Sequence, residues 1–313
     1  MLIYTVRRLL LSIPTLLAVL TLVFVIVRVL PGDPAQAALG DYASKEAVEA
    51  LRARMGLDKP LAVQYVTFLA GLLRGDLGNS MKSGKPVAEQ IGFVLPHTLQ
   101  LTLASIVVGV VFGVPLGIVT AVRRNGLMDY FGRIFSLAGL SIPAFYLGIL
   151  LMLIFGLRLG WFPILWNDAR GNLIAAIRQL VLPALTLGLI MTAYVTRMTR
   201  SAMLNILGED YVRTARAKGL AERVVMFRHA LRSALIPIVS IVGIFAVSLI
   251  GSSVMTEIVF SRPGLGKLMV DAVKQRDYTT LQSVMVVYAF LIVIINLVVD
   301  LLYGLVDPRV RYD

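Results

Sequence analysis

Residues that could carry out acid–base, nucleophilic or metal chemistry are few in this sequence and lie far apart. The 313 residues include no cysteine and two histidines, His97 and His229, which excludes thiolate ligands, disulfides and cysteine nucleophiles. No set of His, Asp and Glu residues has metal-ligand spacing, and no Ser-His-Asp set is placed to meet. The paired carboxylates Glu209 and Asp210 resemble the acidic start of a helix. The sequence therefore predicts a protein that is not an enzyme and holds no metal or cofactor itself.

Phosphate-binding and ion-coupling residues are missing as well. Lys85 and Lys267 each follow a glycine but lack the upstream glycine and the following hydroxyl of a nucleotide-binding loop. An ion-coupled carrier is expected to place ionisable side chains inside its membrane-spanning segments. The nearest candidate here, Asp300, lies just beyond the long uncharged run 278–299. If the chain transports a solute across a membrane, the energy for that transport must therefore come from a partner protein. A secondary carrier or channel that works without an ATPase is the alternative.

Long apolar runs dominate the chain, which is 58% hydrophobic, 15% charged and has a mean hydropathy of +0.83. A helix needs roughly 20 residues to cross a hydrocarbon core about 30 Å thick. Six runs of 18 to 25 residues contain no Asp, Glu, Lys or Arg: 9–27, 98–122, 134–157, 179–196, 233–256 and 278–299. They predict an all-α integral membrane fold with six transmembrane helices, at about 9–30, 98–122, 134–157, 179–196, 233–256 and 278–303.

The first run could instead be a secretory signal, because Arg7 and Arg8 precede it and the small residues 35–37 follow it. Its 19 uncharged residues exceed the usual apolar length of about 7–15, and Pro31 and Pro34 stand before the small residues. We therefore expect a retained first span.

Lysine and arginine counts predict the orientation of the spans. The formal net charge of +12 comes from basic residues that lie between the runs, a distribution that fits orientation in an anionic membrane better than nucleic-acid binding. With a cytoplasmic N-terminus, 15 basic residues lie inside and 7 lie in the short outer segments. The other 8 belong to the long segment after the first run, and long segments carry little weight in this count. We predict a multi-pass membrane protein with both termini in the cytoplasm.

The segment 31–97 predicts a helical extracytoplasmic insertion. Ser44 can cap a short helix that Gly56 ends. A second amphipathic stretch follows around Phe68 and closes near 74–78. The alternative is a pair of helices that lie in the interfacial plane of the membrane.

Glycine and proline mark features within the spans. Gly109, Gly113 and Gly117 repeat every four residues, which predicts close packing of that helix against a neighbour. Five of the six spans contain a proline: Pro14, Pro115, Pro143, Pro183 and Pro237. Kinks there would let helices separate and close again, but prolines are also common in membrane helices without such a role.

The cytoplasmic loop 197–232 has an ordered charge distribution. Glu209 and Asp210 come first, basic residues follow and Gly219 ends the pattern, as suits the helix macrodipole and a C-terminal glycine. Three apolar residues share one face at four-residue spacing: Leu207, Tyr211 and Ala215. The loop is either an ordinary positive connector or a docking helix whose apolar ridge fits a groove on a cytosolic subunit.

The stretch 209–219, Glu-Asp-Tyr-Val-Arg-Thr-Ala-Arg-Ala-Lys-Gly, resembles the cytoplasmic coupling motif of binding-protein-dependent ABC importers. More narrowly, the chain resembles their dipeptide, oligopeptide and nickel permease branch, with a type I ABC importer permease fold. Further similar stretches follow in order along the chain: 30–34, 56–60, 74–78, 263–266, 276–278 and 307–311. The resemblance implies the following ATPase-coupling residues: Glu209, Asp210, Tyr211, Arg213, Thr214, Ala215, Arg216, Lys218 and Gly219.

The broader importer motif reads Glu-Ala-Ala, three residues, Gly, and this sequence departs from it. Aligned on Gly219, the glutamate position holds Arg213, the first alanine becomes Thr214 and the distal proline falls on Arg232. An ion pair of that glutamate is therefore not carried over, whereas docking by Ala215 and Gly219 is.

The resemblance also implies a location in the bacterial cytoplasmic (inner) membrane, the function and the partners. It implies a channel-forming permease subunit that imports di- or oligopeptides, or a related small solute, by alternating access. A homologous second permease would complete a heterodimer, two cytosolic ATPase subunits would bind ATP and Mg²⁺, and an extracytoplasmic solute-binding protein would deliver the cargo. The residues do not distinguish a dipeptide from a longer peptide, glutathione or a nickel chelate.

Overall fold

Helices make up nearly all of the regular structure in the computed structural model, which describes residues 2–29, 34–40, 43–168 and 171–306. Within those residues the one strand-like contact is an isolated bridge between Asn79 and Pro86. The helices are α1 (Leu2–Val29), α2 (Pro34–Leu39), α3 (Lys45–Arg54), α4 (Leu61–Leu73), α5 (Val87–Val122), α6 (Leu127–Ser141), α7 (Ala144–Leu151), α8 (Leu173–Leu207), α9 (Asp210–Ala217), α10 (Glu222–Val224), α11 (Leu231–Val259), α12 (Leu265–Gln275) and α13 (Tyr278–Val306). π-helical turns follow α7 (Met152–Arg158) and α10 (Val225–Ala230). The predicted all-α class is confirmed.

Five segments in the described part of the chain are long and apolar enough to cross a membrane. They lie in α1, α5, α8, α10 to α11, and α13, and each contains one of the uncharged runs of the sequence. The bent pair α6 and α7 would provide a sixth crossing. The membrane boundaries and the outer insertion stay predictions. Two of the stretches that suggested the resemblance, 30–34 and 307–311, lie largely or wholly outside the described residues.

The third uncharged run, 134–157, forms a bent helix pair and not the single helix expected from its length. α6 and α7 meet at an angle of 105°. Between them Ile142 has φ −87° and ψ 122°, the extended conformation that a following proline favours, here Pro143. Pro143 also supplies no N–H for a helical hydrogen bond. Apolar length alone does not reveal this break.

The chain divides into two compact units. Among the described residues, unit 1 contains Thr98–Arg262 together with those up to Thr5 and from Ile295 onward, and unit 2 contains Val6–His97 and Pro263–Ile294. The core of unit 1 lies between α5, α8 and α11. Its buried members are Leu101, Ala184, Leu187, Met191, Val195 and Leu249.

The glycine repeat of α5 packs directly against α8 within unit 1. A Cβ atom added at Gly113 would lie 2.7 Å from Cβ of Val195 and 3.1 Å from the carbonyl oxygen of Thr192. Gly109 and Gly117 face α8 in the same way, one helical turn before and after. The close packing predicted from the four-residue repeat is confirmed.

Unit 2 contains the two helices predicted in the outer segment. The Ser44 hydroxyl accepts a hydrogen bond from the amide of Ala47 (3.2 Å) at the start of α3, and Gly56 follows that helix with φ +66°. α4 packs three residues on α1 and α13, but its other face is also apolar, with Val66 65% and Leu73 91% exposed. α4 is therefore less amphipathic than predicted, and both the outer insertion and its interfacial alternative stay predictions.

Candidate functional site

The predicted coupling helix exists as α9. α8 ends at Leu207, Glu209 takes an extended conformation (φ −70°, ψ 147°), and α9 then begins with Asp210 in its first turn. Gly219 adopts φ +75°, and its amide donates to the carbonyl oxygen of Arg216 (2.9 Å). A side chain strains this left-handed conformation, which explains why glycine ends the helix. The acid-first, base-last charge order and the terminating glycine thus predicted α9 correctly.

One face of α9 packs against its own chain. Val212 and Ala215 are 0% and 6% exposed and form a buried cluster with Val225, which Ile206 and Leu207 complete from α8. The chain returns past α9 through the π-helical turn, so the apolar face is covered within the subunit. The expectation that Ala215 belongs to a ridge available to a partner is therefore wrong. Tyr211 stays 45% exposed, and its hydroxyl lies 3.0 Å from that of Ser233.

The opposite face of α9 is open. Asp210, Arg213, Thr214 and Ala217 recur at three- and four-residue spacing and are all exposed, so they form one strip along the helix. The Thr214 hydroxyl donates to the carbonyl oxygen of Asp210 (2.9 Å), so this hydroxyl is bonded within α9. We call these four residues the outer strip.

Ion pairs lie along the flanks of α9. Arg213 and Asp210 are 3.4 Å apart and almost fully exposed, so this pair contributes little. Arg216 donates from Nη2 and Nε to the two carboxylate oxygens of Glu222, at 2.7 and 3.1 Å. These hydrogen bonds raise the pKa of the Arg216 guanidinium. The Arg216–Glu222 pair bridges the turn at Gly219 and fixes the direction in which the chain returns.

A buried carboxylate joins the loop before α6 to the C-terminal half of α8. Asp129, 0% exposed, accepts hydrogen bonds from Nε and Nη2 of Arg200 (2.6 and 2.9 Å), from Nη2 of Arg133 (2.8 Å) and from the amide of Asn125 (2.9 Å). Two cations on one carboxylate, with bidentate geometry from Arg200, make a strong charge-assisted group. We call these four residues the Asp129 cluster. It holds the α5–α6 turn on the helix that leads into α9.

The sequence alone did not reveal the Asp129 cluster. Asp129 and Arg133 have helical spacing, which is a weak signal. In the sequence, Arg133 and Arg200 contribute only to the count of basic residues that predicts orientation. Arg200 lies 71 positions further along the chain. Only the packing of α6 on α8 brings it to Asp129.

A second buried carboxylate corrects the expectation that the apolar helices carry no ionisable group. Glu257 lies one residue beyond the fifth uncharged run but inside α11, and it is 0% exposed. Its Oε1 accepts a hydrogen bond from the hydroxyl of Thr98 (2.7 Å). Nearby, buried Arg262 donates to Oε1 of Gln100 (3.2 Å). Glu257 is thus hydrogen-bonded, as buried polar groups require, whereas Nε of Arg262 is buried without a hydrogen-bond partner among the described residues.

Metal chemistry has no support in the described part of the chain, where no group of three or more His, Cys, Asp or Glu could hold an ion. What the α9 region offers is a surface. One face is fixed by apolar packing and ion pairs, and the other is exposed and charged.

Comparison with known families accounts for nearly the whole chain. A family described as "Binding-protein-dependent transport system inner membrane component" matches residues 113–312, and the N-terminal family of such membrane components matches residues 1–102. The chain belongs to this family. It is therefore a transport component and not an enzyme, and it lies in the inner membrane as a multi-pass protein.

Curated relatives match this importer component from end to end. It is 46% identical over 312 residues to the "Glutathione transport system permease protein GsiC" of Pectobacterium atrosepticum, with 100% of both chains covered. It is 40% identical over 333 residues to the "Dipeptide transport system permease protein DppB" of Alkalihalophilus pseudofirmus, again with 100% of both covered. It is 41% identical over 336 residues to the "Di/tripeptide transport system permease protein DppB" of Pseudomonas aeruginosa, with the same coverage.

A solved structure shares the fold. An inward-facing form of the MetNI methionine ABC transporter superposes with a TM-score of 0.56 and 22% identity, covering 70% of this chain and 96% of that one. At this identity the similarity establishes the fold alone. The predicted type I importer permease fold is confirmed, and membership of the family implies ATPase and binding-protein partners.

Proposed function

We propose that this permease imports peptides or a peptide-like solute such as glutathione. The relatives named above transport glutathione, dipeptides, or di- and tripeptides by their printed names, and each matches the chain over its full length. All three cargoes are small, contain peptide bonds and end in a carboxylate. That common chemistry supports a peptide-class substrate without choosing among its members.

The proposed assembly contains two permeases, two ATPase subunits and one solute-binding protein. A homologous second permease forms a heterodimer with this chain, two cytosolic ATPase subunits bind ATP and Mg²⁺, and a solute-binding protein presents the cargo outside. ATP closes the ATPase dimer, the coupling helices move with it, and the permease pair opens outward. Binding and hydrolysis by the partners provide the difference in free energy between the two states.

The observation that carries the coupling role is the two-sided character of α9. Its inner face is anchored by buried Val212 and Ala215, while the outer strip is exposed. A helix that transmits movement needs both features, because an unanchored helix would shift without moving the span behind it. We therefore assign docking to Asp210, Arg213, Thr214 and Ala217, with Ala217 as the small residue that permits close approach. Ala215 instead anchors the helix.

The orientation and the docking face can be tested together, because the chain contains no cysteine. Ala217→Cys and Ala221→Cys place single thiols at exposed positions, on the outer strip and just beyond the Gly219 turn. Both should react with a membrane-impermeant maleimide in inside-out vesicles and not in right-side-out vesicles. Adding the ATPase subunits should protect the thiol at 217 and leave the matched control at 221 reactive.

Three results would count against the proposal. Reaction of the thiol at 217 in right-side-out vesicles would overturn the cytoplasmic orientation. Equal reaction at both positions, with and without bound ATPase subunits, would remove the outer strip from the docking surface. Uptake by this chain alone, driven by an ion gradient in liposomes, would favour the secondary carrier.

A further inference from the structure

A cavity of about 860 Å³ opens in unit 2, away from the coupling helix in sequence. Pockets that bind small molecules have volumes of roughly 300–1,000 Å³ and combine apolar walls with a few polar groups. The walls here include the apolar side chains of Phe68, Leu72 and Leu77, and the polar side chains of Arg28 and Gln64. The cavity therefore has the size and lining expected for a peptide of a few residues.

Three stretches that are distant in sequence meet at this cavity. They are 56–60, 74–78 and the segment that begins α13, and none of them belongs to the coupling site. The side-chain amide of Gln64 donates to the carbonyl oxygens of Leu57 (3.2 Å) and Lys59 (2.8 Å). This fixes the first stretch against α4 and leaves it at the cavity wall.

The other two stretches are joined by Asp277 and its neighbours. Buried Asp277 accepts hydrogen bonds from the hydroxyl of Ser80 (2.6 Å) and the amide of Met81 (3.2 Å). Gly78 packs so closely on Thr279 that an added Cβ would lie 2.8 Å from the threonine methyl. The cavity wall is thus a built feature, held by hydrogen bonds and close packing.

Arg28 supplies the cationic group of the cavity. Its Nε donates to Oε1 of Gln64 (3.2 Å) and its Nη1 to Oε1 of Gln282 (3.0 Å), while its guanidinium carbon lies 4.6 Å from the ring centre of Phe24. Within the described residues no ion pair joins Arg28 to a carboxylate. Among those residues its charge is held in place by neutral groups and meets no carboxylate.

The described residues also give the cavity a positive balance of charge. Besides Arg28, the charged residues among them that line it are Lys59 and Asp76. Asp76 accepts a hydrogen bond from the amide of Gly78 (2.8 Å), which occupies one of its carboxylate oxygens in the turn. A planar guanidinium fork matches a carboxylate better than any other common ligand group in a peptide.

We propose that this cavity binds a peptide-sized solute by its carboxylate, which Arg28 receives, while the solute side chains contact Phe68, Leu72 and Leu77. The inference rests on the proposed peptide-class function and adds a binding site within the permease itself. The two glutamine oxygens hold the guanidinium ready when the site is empty. An incoming carboxylate replaces neutral acceptors with a charged one, which strengthens the hydrogen bonds.

A single thiol at the cavity provides a direct test. Thr67→Cys, exposed and on the cavity wall, would be labelled by a neutral maleimide in the complete importer without its binding protein, reconstituted in lipid nanodiscs. Alanyl-alanine and S-methylglutathione should slow the labelling, and alanyl-alanine amide, which lacks the carboxylate, should not. Lys85→Cys, exposed in the same unit but off the cavity, is the matched control and should be unaffected.

Arg28 variants complete the test in the Thr67→Cys background. Arg28→Gln should weaken protection by at least about tenfold in peptide concentration, and Arg28→Lys should retain part of it. Unchanged protection in Arg28→Gln, protection by the amide as strong as by the acid, or no protection by either peptide would overturn the site. If the importer with its binding protein still takes up peptide in that case, the proposed function stands; if it takes up none, the proposed function fails separately.

Discussion

Arginine serves two different purposes in the two units of this permease. In unit 1, Arg200 forms a bidentate pair with Asp129, a carboxylate that is 0% exposed. In unit 2, Arg28 is held by the neutral oxygens of Gln64 and Gln282. The first arrangement pairs the cation with a buried anion, and the second leaves room for an anion. The partner of a half-buried arginine therefore indicates whether it is part of the framework or part of a binding site.

The difference has a physical basis in desolvation. A buried carboxylate is tolerated only when cations and hydrogen-bond donors compensate for the lost water. Asp129 has four such donors, so removing it leaves two arginines without their anion. Among the described residues, no buried carboxylate relies on Arg28 for its charge compensation. Substitutions at the two places should therefore differ in what they change: stability in unit 1 and ligand binding in unit 2.

Asp129→Ala should have the largest effect on stability. Removing one partner of a buried ion pair costs about 3–5 kcal/mol, and the remaining exposure of Arg200 and Arg133, 21% and 45%, places the expected loss near the lower end. Thermal unfolding of the purified importer in detergent should show a clear fall in midpoint. Arg28→Gln should shift it far less. Equal shifts for the two variants would contradict the distinction between framework and binding arginines.

Much of the fold followed from the sequence, because its signals are local. Six uncharged runs indicated the apolar helices, and the glycine repeat indicated the α5–α8 contact. Charge order and Gly219 indicated the limits of α9. In each case the deciding physical effect, whether hydrocarbon thickness, close approach or helix-end chemistry, acts within a few residues of its signal.

The features that escaped prediction depend on contacts between distant residues. Ala215 has the spacing of an exposed ridge, but the return of the chain through Val225 covers it. Asp129 meets Arg200 only after α6 packs on α8. The cavity in unit 2 needs α1, α4 and the start of α13 in one place. Periodicity and composition do not contain that information.

The second prediction concerns the glycine repeat, which also belongs to the framework of unit 1. Gly113→Ala would place a methyl group 2.7 Å from Cβ of Val195, so α5 and α8 must separate, at a cost of about 1–3 kcal/mol. Gly92→Ala, on the same helix with nothing within 4 Å of the added atom, should be neutral or stabilising by up to about 1 kcal/mol. Thermal unfolding midpoints of the two variants measure the difference. An unchanged unfolding midpoint in Gly113→Ala would show that α5 and α8 are not closely packed at this position.

The smallest expected effect on stability is at the exposed Arg216–Glu222 pair, which contrasts with the buried ion pairs of Asp129. The two side chains are 41% and 55% exposed, so their ion pair should contribute less than about 1 kcal/mol to stability despite its good geometry. Its role is to set the direction of the chain after Gly219, and therefore the position of α9. Arg216→Glu should leave the unfolding midpoint nearly unchanged but reduce substrate-stimulated ATP hydrolysis by the importer, because two neighbouring carboxylates would repel. The double variant with Glu222→Arg restores an ion pair of reversed polarity and should recover most of that activity. If the double variant is as impaired as Arg216→Glu alone, the arginine itself contacts the ATPase, and Arg216 must be added to the outer strip.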